Sequence, residues 1–266
     1  MKVANISRST YYYTLAAISK TDKYAKQKEV MRKLFKEHDR RLGYKRMTKH
    51  LYEDYNIRLN HKTVYRLMNE LNLVCKVRRV RNYNSYKGDI GEAADNILNR
   101  KFKATKPNQK WVTDVTEFKV NGKKVYLSPM IDLYDRSVVG YSISKSPNMK
   151  MIKDMLKGCL FKISPEDELL IHSDQGWHYR NKGFQEIFKG NLTQSMSRKA
   201  TCLDNAMAEN FFGHLKSEMY HGEYFENDDD LIVKLHRYIK YYNKKRRSSA
   251  IDYATPDEFR TNYYAA

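Results

Sequence analysis

The chain has 266 residues, with 50 Lys plus Arg against 31 Asp plus Glu and a formal net charge of +19, which points away from a small neutral substrate and toward a polyanion. Hydrophobic residues at 41% and aromatics at 13% exclude intrinsic disorder, and 11 Gly with 5 Pro exclude a collagen-like or low-complexity chain. Three cysteines, Cys75, Cys159 and Cys202, with no C-x-x-C spacing exclude a disulfide framework or zinc knuckle, and no secretory h-region or apolar run of membrane-spanning length is present, so a cytoplasmic protein without a membrane partner is expected.

The charge is uneven. Residues 1–100 hold 23 basic and 10 acidic side chains, net +13, and residues 101–266 hold 27 and 21, net +6. Eleven of the 18 arginines lie in the first stretch, and Arg, unlike Lys, is not inflated by an A+T-rich genome; the excess reads as affinity for nucleic acid. Helical patterns are expected over Tyr24 to His38, Lys45 to Tyr55 and His61 to Leu71. In the last, Val64, Leu67, Met68 and Leu71 recur at helical spacing behind Asn60 as N-cap, leaving Lys62, Tyr65, Arg66 and Asn69 outside. With a glycine turn at Gly43, this outlines a helix-turn-helix region over 1–75 whose Lys45, Arg46, Lys62, Tyr65 and Arg66 are candidate DNA contacts. Residues 76–109 read as a basic linker, where Arg78, Arg79 and Arg81 track phosphates and Tyr83 and Tyr86 offer stacking surfaces; a merely solvated tether fits equally well.

From Trp111 the pattern turns to strands. WVTDVTEFKV alternates, Asn121-Gly122 marks a hairpin turn, VYLSPMIDL and SVVGYSIS follow, and Met149 to Phe161 reads as a helix. The strand ELLIHSD, a helix over Asn181 to Phe188, the strand LTQSMS and a helix over Asp204 to Tyr220 complete a mixed α/β sheet over 110–221. Residues 222–266 are expected to be a helical extension of that core.

Metal-assisted phosphoryl transfer needs carboxylates from separate elements converging on one spot. Asp114 lies mid-strand on the face opposite Thr113 and Val115, and Asp174 ends an apolar strand before Gly176, where ligands habitually bind. Glu209 sits about 200° around its helix from the apolar Met207, and Lys216, seven residues on, rises from the same side as Glu209. Taken singly, each acid is more readily a turn or surface residue. Asp132 and Asp135 read as structural, and His172 and His178 flank Asp174 as candidates to touch phosphate or order the loop.

In combination, the strings WVTDVTEF, HSDQGWHY, SMSRKATCLDNAMAENFFGHLKSE and YYNKKRRSSAIDYATPDEF resemble, in order and spacing, bacterial transposases of the insertion sequence three family, relatives of retroviral integrases. RLGYKRMTKHLYEDY and LNHKTVYRLMNELNL resemble that family's helix-turn-helix segment. The resemblance implies an RNase H-like integrase core in which Asp114, Asp174 and Glu209 form a metal-binding DDE triad, Lys216 is the basic residue after the glutamate, and Mg²⁺, with Mn²⁺ as substitute, serves cleavage at element ends and strand transfer. It also implies terminal inverted repeats and target DNA as partners, a homo-oligomer in the synaptic complex, and an upstream-frame product acting with this downstream one, separately or as a fusion. Two departures stand out: 34 residues separate Asp174 from Glu209, one fewer than is usual, with the deletion near Gly190 to Thr193, and Ala200 replaces a usual glycine. A catalytically silent DNA-binding relic and an RNase H-like nuclease are the alternatives.

Overall fold

The computed structural model describes residues 7–18, 22–76, 94–161, 163–164, 166–198 and 201–266, in two units, Met1–Lys76 and Val77–Ala266. The first unit contains α1 (Arg8–Ile18), α2 (Ala25–Glu37), α3 (Tyr44–Tyr55) and α4 (His61–Glu70). The last three are the predicted helices, closed around Met31, Leu34, Phe35, Leu42, Met47, Leu51, Val64, Leu67 and Met68. Asn60 caps α4 by accepting from the Lys62 amide at 2.9 Å. The short α1 is not among the predicted elements. Ser7 Oγ accepts from the Thr10 amide at 3.1 Å, and residues 8–15 are exposed, so no buried stripe announces this helix in the sequence.

In the second unit the strands are β1 (Lys110–Thr113), β2 (Thr116–Val120), β3 (Lys123–Asp132), β4 (Val138–Ser144), β5 (Leu169–Ser173) and β6 (Leu192–Met196). Antiparallel β4 flanks one side of β3; β1 and β2 share its other side, and β1 then pairs in parallel with β5, and β5 with β6. Asn121 and Gly122, with φ of 48° and 79°, make the predicted turn between β2 and β3, since both central positions of such a hairpin need positive φ.

Helices cover both faces of the sheet. On one, α5 (Met149–Leu160) and the short α6 (Trp177–Arg180) and α7 (Lys182–Gln185) pack Ile152, Met155, Leu156, Tyr179 and Phe184 against Trp111, Met130 and Ile171. At Gly140 an added Cβ would meet Cys159 Sγ at 2.3 Å, so the absent side chain lets α5 approach β4. On the other face α8 (Ala206–Leu215), α9 (Asp228–Lys244) and α10 (Pro256–Ala265) follow in order. Phe211, Phe212 and Leu215 from α8 and Leu231, Leu235 and Tyr238 from α9 join Val112, Phe118, Val125 and Leu127 in a single core. Each such fully buried side chain stabilises the fold by roughly 1.5–3 kcal/mol. Among the described residues no helix is long and apolar enough to cross a membrane.

Residues 94–109, the second half of the expected linker, run along this core. Leu98 is buried, and Ser195 Oγ accepts from the Ile97 and Leu98 amides, both at 3.0 Å. The C-terminal extension is tied on by ion pairs. Arg260 on α10 reaches Asp132 and Asp135, both fully buried. Burial, with the neighbouring Asp135 charge, lifts Asp132 to about 6. The structural reading of these two acids thus gains a partner that sequence spacing does not reveal. Arg246, just past α9, donates to Glu218 through Nε and Nη2 at 2.8–3.1 Å, with Tyr238 adding a hydroxyl donor at 3.1 Å.

Removing one partner of a buried pair strands the other charge. Arg246→Ala is therefore expected to destabilise the chain by about 3–5 kcal/mol, read from the urea unfolding midpoint, while Arg237→Ala, at an exposed position on α9, stays within about 0.5 kcal/mol.

Candidate active site

The site begins as an interruption in a strand. Pairing with β3 keeps one register across the gap between β1 and β2, with Thr113 opposite Met130 and Thr116 opposite Leu127. Asp114 therefore falls across from Pro129, which has no N–H to offer the ladder. The Asp114 carboxylate instead accepts from the Val115 amide at 2.7 Å. On the other side of β1, Val112 is the register partner of His172 in β5. Two residues further along each parallel strand lie Asp114 and Asp174, at adjacent carboxyl ends and, by the two-residue period, on the face that carries Val112 and α8.

Asp174 is held by a tight turn in which its Oδ1 accepts from the Gly176 amide at 2.9 Å. A Cβ on residue 176 would stand 2.9 Å from that same oxygen, so any side chain there would push the Asp174 carboxylate from its place. Beneath both acids lies the buried ring of Tyr179, its hydroxyl 3.4 Å from Thr113 Oγ1; burial and the charges of Asp114 and Asp174 hold that hydroxyl protonated far above its ordinary range.

Across these strand ends packs α8. Asn205, immediately before it, donates from Nδ2 to the Thr113 carbonyl at 3.2 Å. Asp204, fully buried, accepts from Arg198 Nε at 2.9 Å, Arg100 Nε at 2.7 Å and Asn96 Nδ2 at 2.8 Å, which together hold its carboxyl well below the usual range. Thus anchored, Glu209 in the first turn of α8 acts electrostatically on Asp114. Lys216, where α8 passes into a π turn over Lys216–Tyr220, also acts on Asp114 and lies 5.4 Å from the Phe118 ring centroid. All four predicted core residues are therefore brought into one electrostatic neighbourhood.

The electrostatics differ from those of a structural acid. Burial, then the Asp174 charge, push the Asp114 carboxyl well up, with Glu209 adding to the rise. Burial likewise raises Asp174. These oxygens form a hard donor set with too little positive charge nearby, and a divalent cation fits it. Among the described residues no three His, Cys, Asp or Glu side chains stand close enough to enclose a metal ion, so the fit rests on the Asp114 and Asp174 pair, with Glu209 acting on Asp114 only through its charge.

Comparison with known families agrees. Residues 104–202 and 209–263 match integrase core domains, and residues 23–81 match an HTH-like domain. The transposase InsK of insertion sequence element IS150 from Escherichia coli is 47% identical over 265 residues, covering 99% of this chain and 93% of that one. The chain belongs to the IS3 family of insertion-sequence transposases. Further relatives are the IS904 transposase of Lactococcus lactis, 34% identical over 87% of this chain and 92% of its own, and the E. coli IS3A transposase InsF, 33% identical over 75% and 70%. The expected transposase, with its helix-turn-helix front and RNase H-like integrase core, is what the chain is.

Other candidates are distributed as follows. In the front unit of the transposase Lys45, Lys62, Tyr65 and Arg66 are exposed and Arg46 is half-buried; Arg66 pairs with Glu70. Arg78, Arg79, Arg81, Tyr83, Tyr86 and Ala200 lie outside the described residues. His172 is fully buried between Ser195 Oγ at 2.8 Å and Ser197 Oγ at 3.1 Å. Burial lowers it to about 4, so it braces β5 to β6 as a neutral ring and does not reach phosphate. His178 Nε2 lies 3.0 Å from the Pro147 carbonyl and orders its loop. Gly190, at the start of the stretch read as shortened, takes a positive φ of 65° in the turn before β6. Sequence reasoning missed Tyr179 and the Asp204-Asn205 anchor; the only signal for Asn205 is its place one helical turn before Glu209.

Because Asp114 binds its proton more tightly folded than unfolded, ionising it costs stability. That cost starts as pH rises past the ordinary 3.8 and is complete above the raised folded value. Without divalent ions, Asp114→Asn should therefore raise the midpoint at pH 7 by about 2–4 °C and leave it nearly unchanged at pH 3, measured by thermal unfolding.

Proposed function

We propose that this transposase breaks and rejoins DNA phosphodiester bonds at Asp114, Asp174 and Glu209, with Mg²⁺ or Mn²⁺ as the cofactor their oxygens hold. The carrying observation is a pair of carboxylates with raised pKa at the ends of adjacent parallel strands. When bound, the cation supplies Lewis-acid polarisation of the phosphate and makes water a better nucleophile. Asp114 and Asp174 supply fixed negative charge that DNA alone would avoid, Glu209 closes the site from α8, and the Lys216 ammonium meets a phosphate oxygen of the entering strand.

The first step forms a bond from a water oxygen to phosphorus at the element end and breaks the bond to the 3′ oxygen, which leaves as a 3′-OH. In the second, that 3′-OH bonds to phosphorus of target DNA and expels the target's own 3′ oxygen, which takes up the proton. No protein–DNA covalent bond is needed. The front unit grips DNA through Lys45, Arg46, Lys62, Tyr65 and Arg66, continued by Arg78, Arg79 and Arg81. The enzyme works in the bacterial cytoplasm as a homo-oligomer on terminal inverted repeats and target DNA, with the upstream-frame product as partner or fused to it.

Asp114→Asn, Asp174→Asn and Glu209→Gln should each lower Mg²⁺-dependent cleavage and joining of a labelled terminal-repeat duplex about a hundredfold or more, with DNA affinity retained. Normal strand transfer by any of the three sinks the assignment; cleavage without joining by the parent chain supports the nuclease alternative. For the front unit, Lys62→Ala should weaken binding similarly across DNA sequences and reduce the slope of log affinity against log salt by about one, measured by fluorescence anisotropy.

A further inference from the structure

Asn205 is 3% exposed. Its Nδ2 donates to the Thr113 carbonyl, and its Oδ1 is buried with no hydrogen-bond partner among the described residues. The amide orientation is decided by that contact, because a carbonyl only accepts; nitrogen meets the Thr113 carbonyl and Oδ1 is left as the unpaired acceptor. Glu209 lies four positions on from Asn205, which places the two on one side of the helix start. Buried carbonyl oxygens are rarely left without a partner, and one left so beside charged groups calls for a ligand.

We propose that Asn205 is a fourth residue of the site, its Nδ2 setting the position of α8 against the strand that carries Asp114 and its Oδ1 serving as a neutral oxygen donor to the divalent cation. The proposal rests on the carboxylate reading above. An amide suits this place chemically: hard cations accept amide carbonyl oxygens, while another carboxylate would add to the repulsion already acting on Asp114.

The test is Mn²⁺ binding to the full chain without DNA, followed by isothermal titration calorimetry and by the thermal midpoint. Asn205→Ala loses one hydrogen bond but also removes a buried unpaired acceptor, effects of opposite sign, so its metal-free midpoint should stay within about 2 °C of the parent. Its half-saturating Mn²⁺ concentration should rise about tenfold. Asn205→Asp, which restores an oxygen, should bring half-saturation back to the parent value or below it. Unchanged half-saturation in Asn205→Ala, or Asn205→Asp binding as weakly as Asn205→Ala, overturns the proposal. If the alanine variant does not fold, the similarly shaped Asn205→Leu takes its place under the same criteria. Asp114→Asn separates the two readings: loss of Mn²⁺ binding there with normal binding in Asn205→Ala removes only Asn205 from the site, whereas normal binding in Asp114→Asn removes the carboxylate reading itself.

Discussion

Like charges crowded at the carboxyl ends of β1 and β5 are the constraint around which the core is arranged. Two carboxyl groups that repel each other in a half-buried notch disfavour the compact state, so the backbone must leave them no escape. Pro129 opposite Asp114 interrupts the ladder without shifting its register, and glycine at 176 permits the turn that holds Asp174. Behind them the sheet is packed on both faces. Local strain of this kind persists only where the surroundings over-determine it.

The same residue type shows two fates within a short distance. Asp204 collects two guanidinium groups and an amide and lies well below the carboxylate range; Asp114 collects carboxylates and lies well above it. The first is compensated and therefore a fixture, and what it fixes is the entry to α8. The second is uncompensated. Desolvation and like charge without an ion-paired cation, as at Asp114, are what a functional acid would show, whereas an acid that holds a guanidinium, as Asp204 holds Arg198 and Asp132 holds Arg260, is structural. Glu218 with Arg246 repeats the structural pattern deeper in the core.

Much of this was legible in the chain because its signals are local. Alternation in WVTDVTEFKV, Asn-Gly at 121–122 and the apolar spacing of Val64, Leu67 and Met68 each depend on neighbours a few residues away. The proposal of Asp114, Asp174 and Glu209 rests on their places on those elements together with the family resemblance. What escaped depends on partners far along the chain. Arg260 meets Asp132 across 128 positions, and Ile97 and Leu98 meet Ser195 across nearly a hundred, so 94–109 reads as a tether although it is part of the core. Asn205 looks like an ordinary helix cap, and only its reach to Thr113 reveals another use. Residues 8–15 of α1 are all exposed and give no buried face to read.

Charge in the front unit is less free than its sum suggests. Lys28 is shared between Asp22 and Glu70, Lys49 pairs with Glu53, Lys76 with Asp39 and Arg66 with Glu70. Lys45 and Lys62 are exposed and, among the described residues, make no ion pair. Under the proposed function Arg66 would have to exchange Glu70 for phosphate. That exchange is cheap, because an exposed pair at i,i+4 contributes only about 0.3–0.5 kcal/mol and weakens with salt, while a guanidinium on phosphate forms charge-assisted hydrogen bonds. Pairing of this kind keeps a strongly basic unit from repelling itself when unbound and leaves its cations available on contact. In the core the balance is reversed: residues 101–266 carry only +6, and Asp114 and Asp174 stand together at adjacent strand ends; under the proposed function a divalent cation is the charge that would let them approach DNA phosphate.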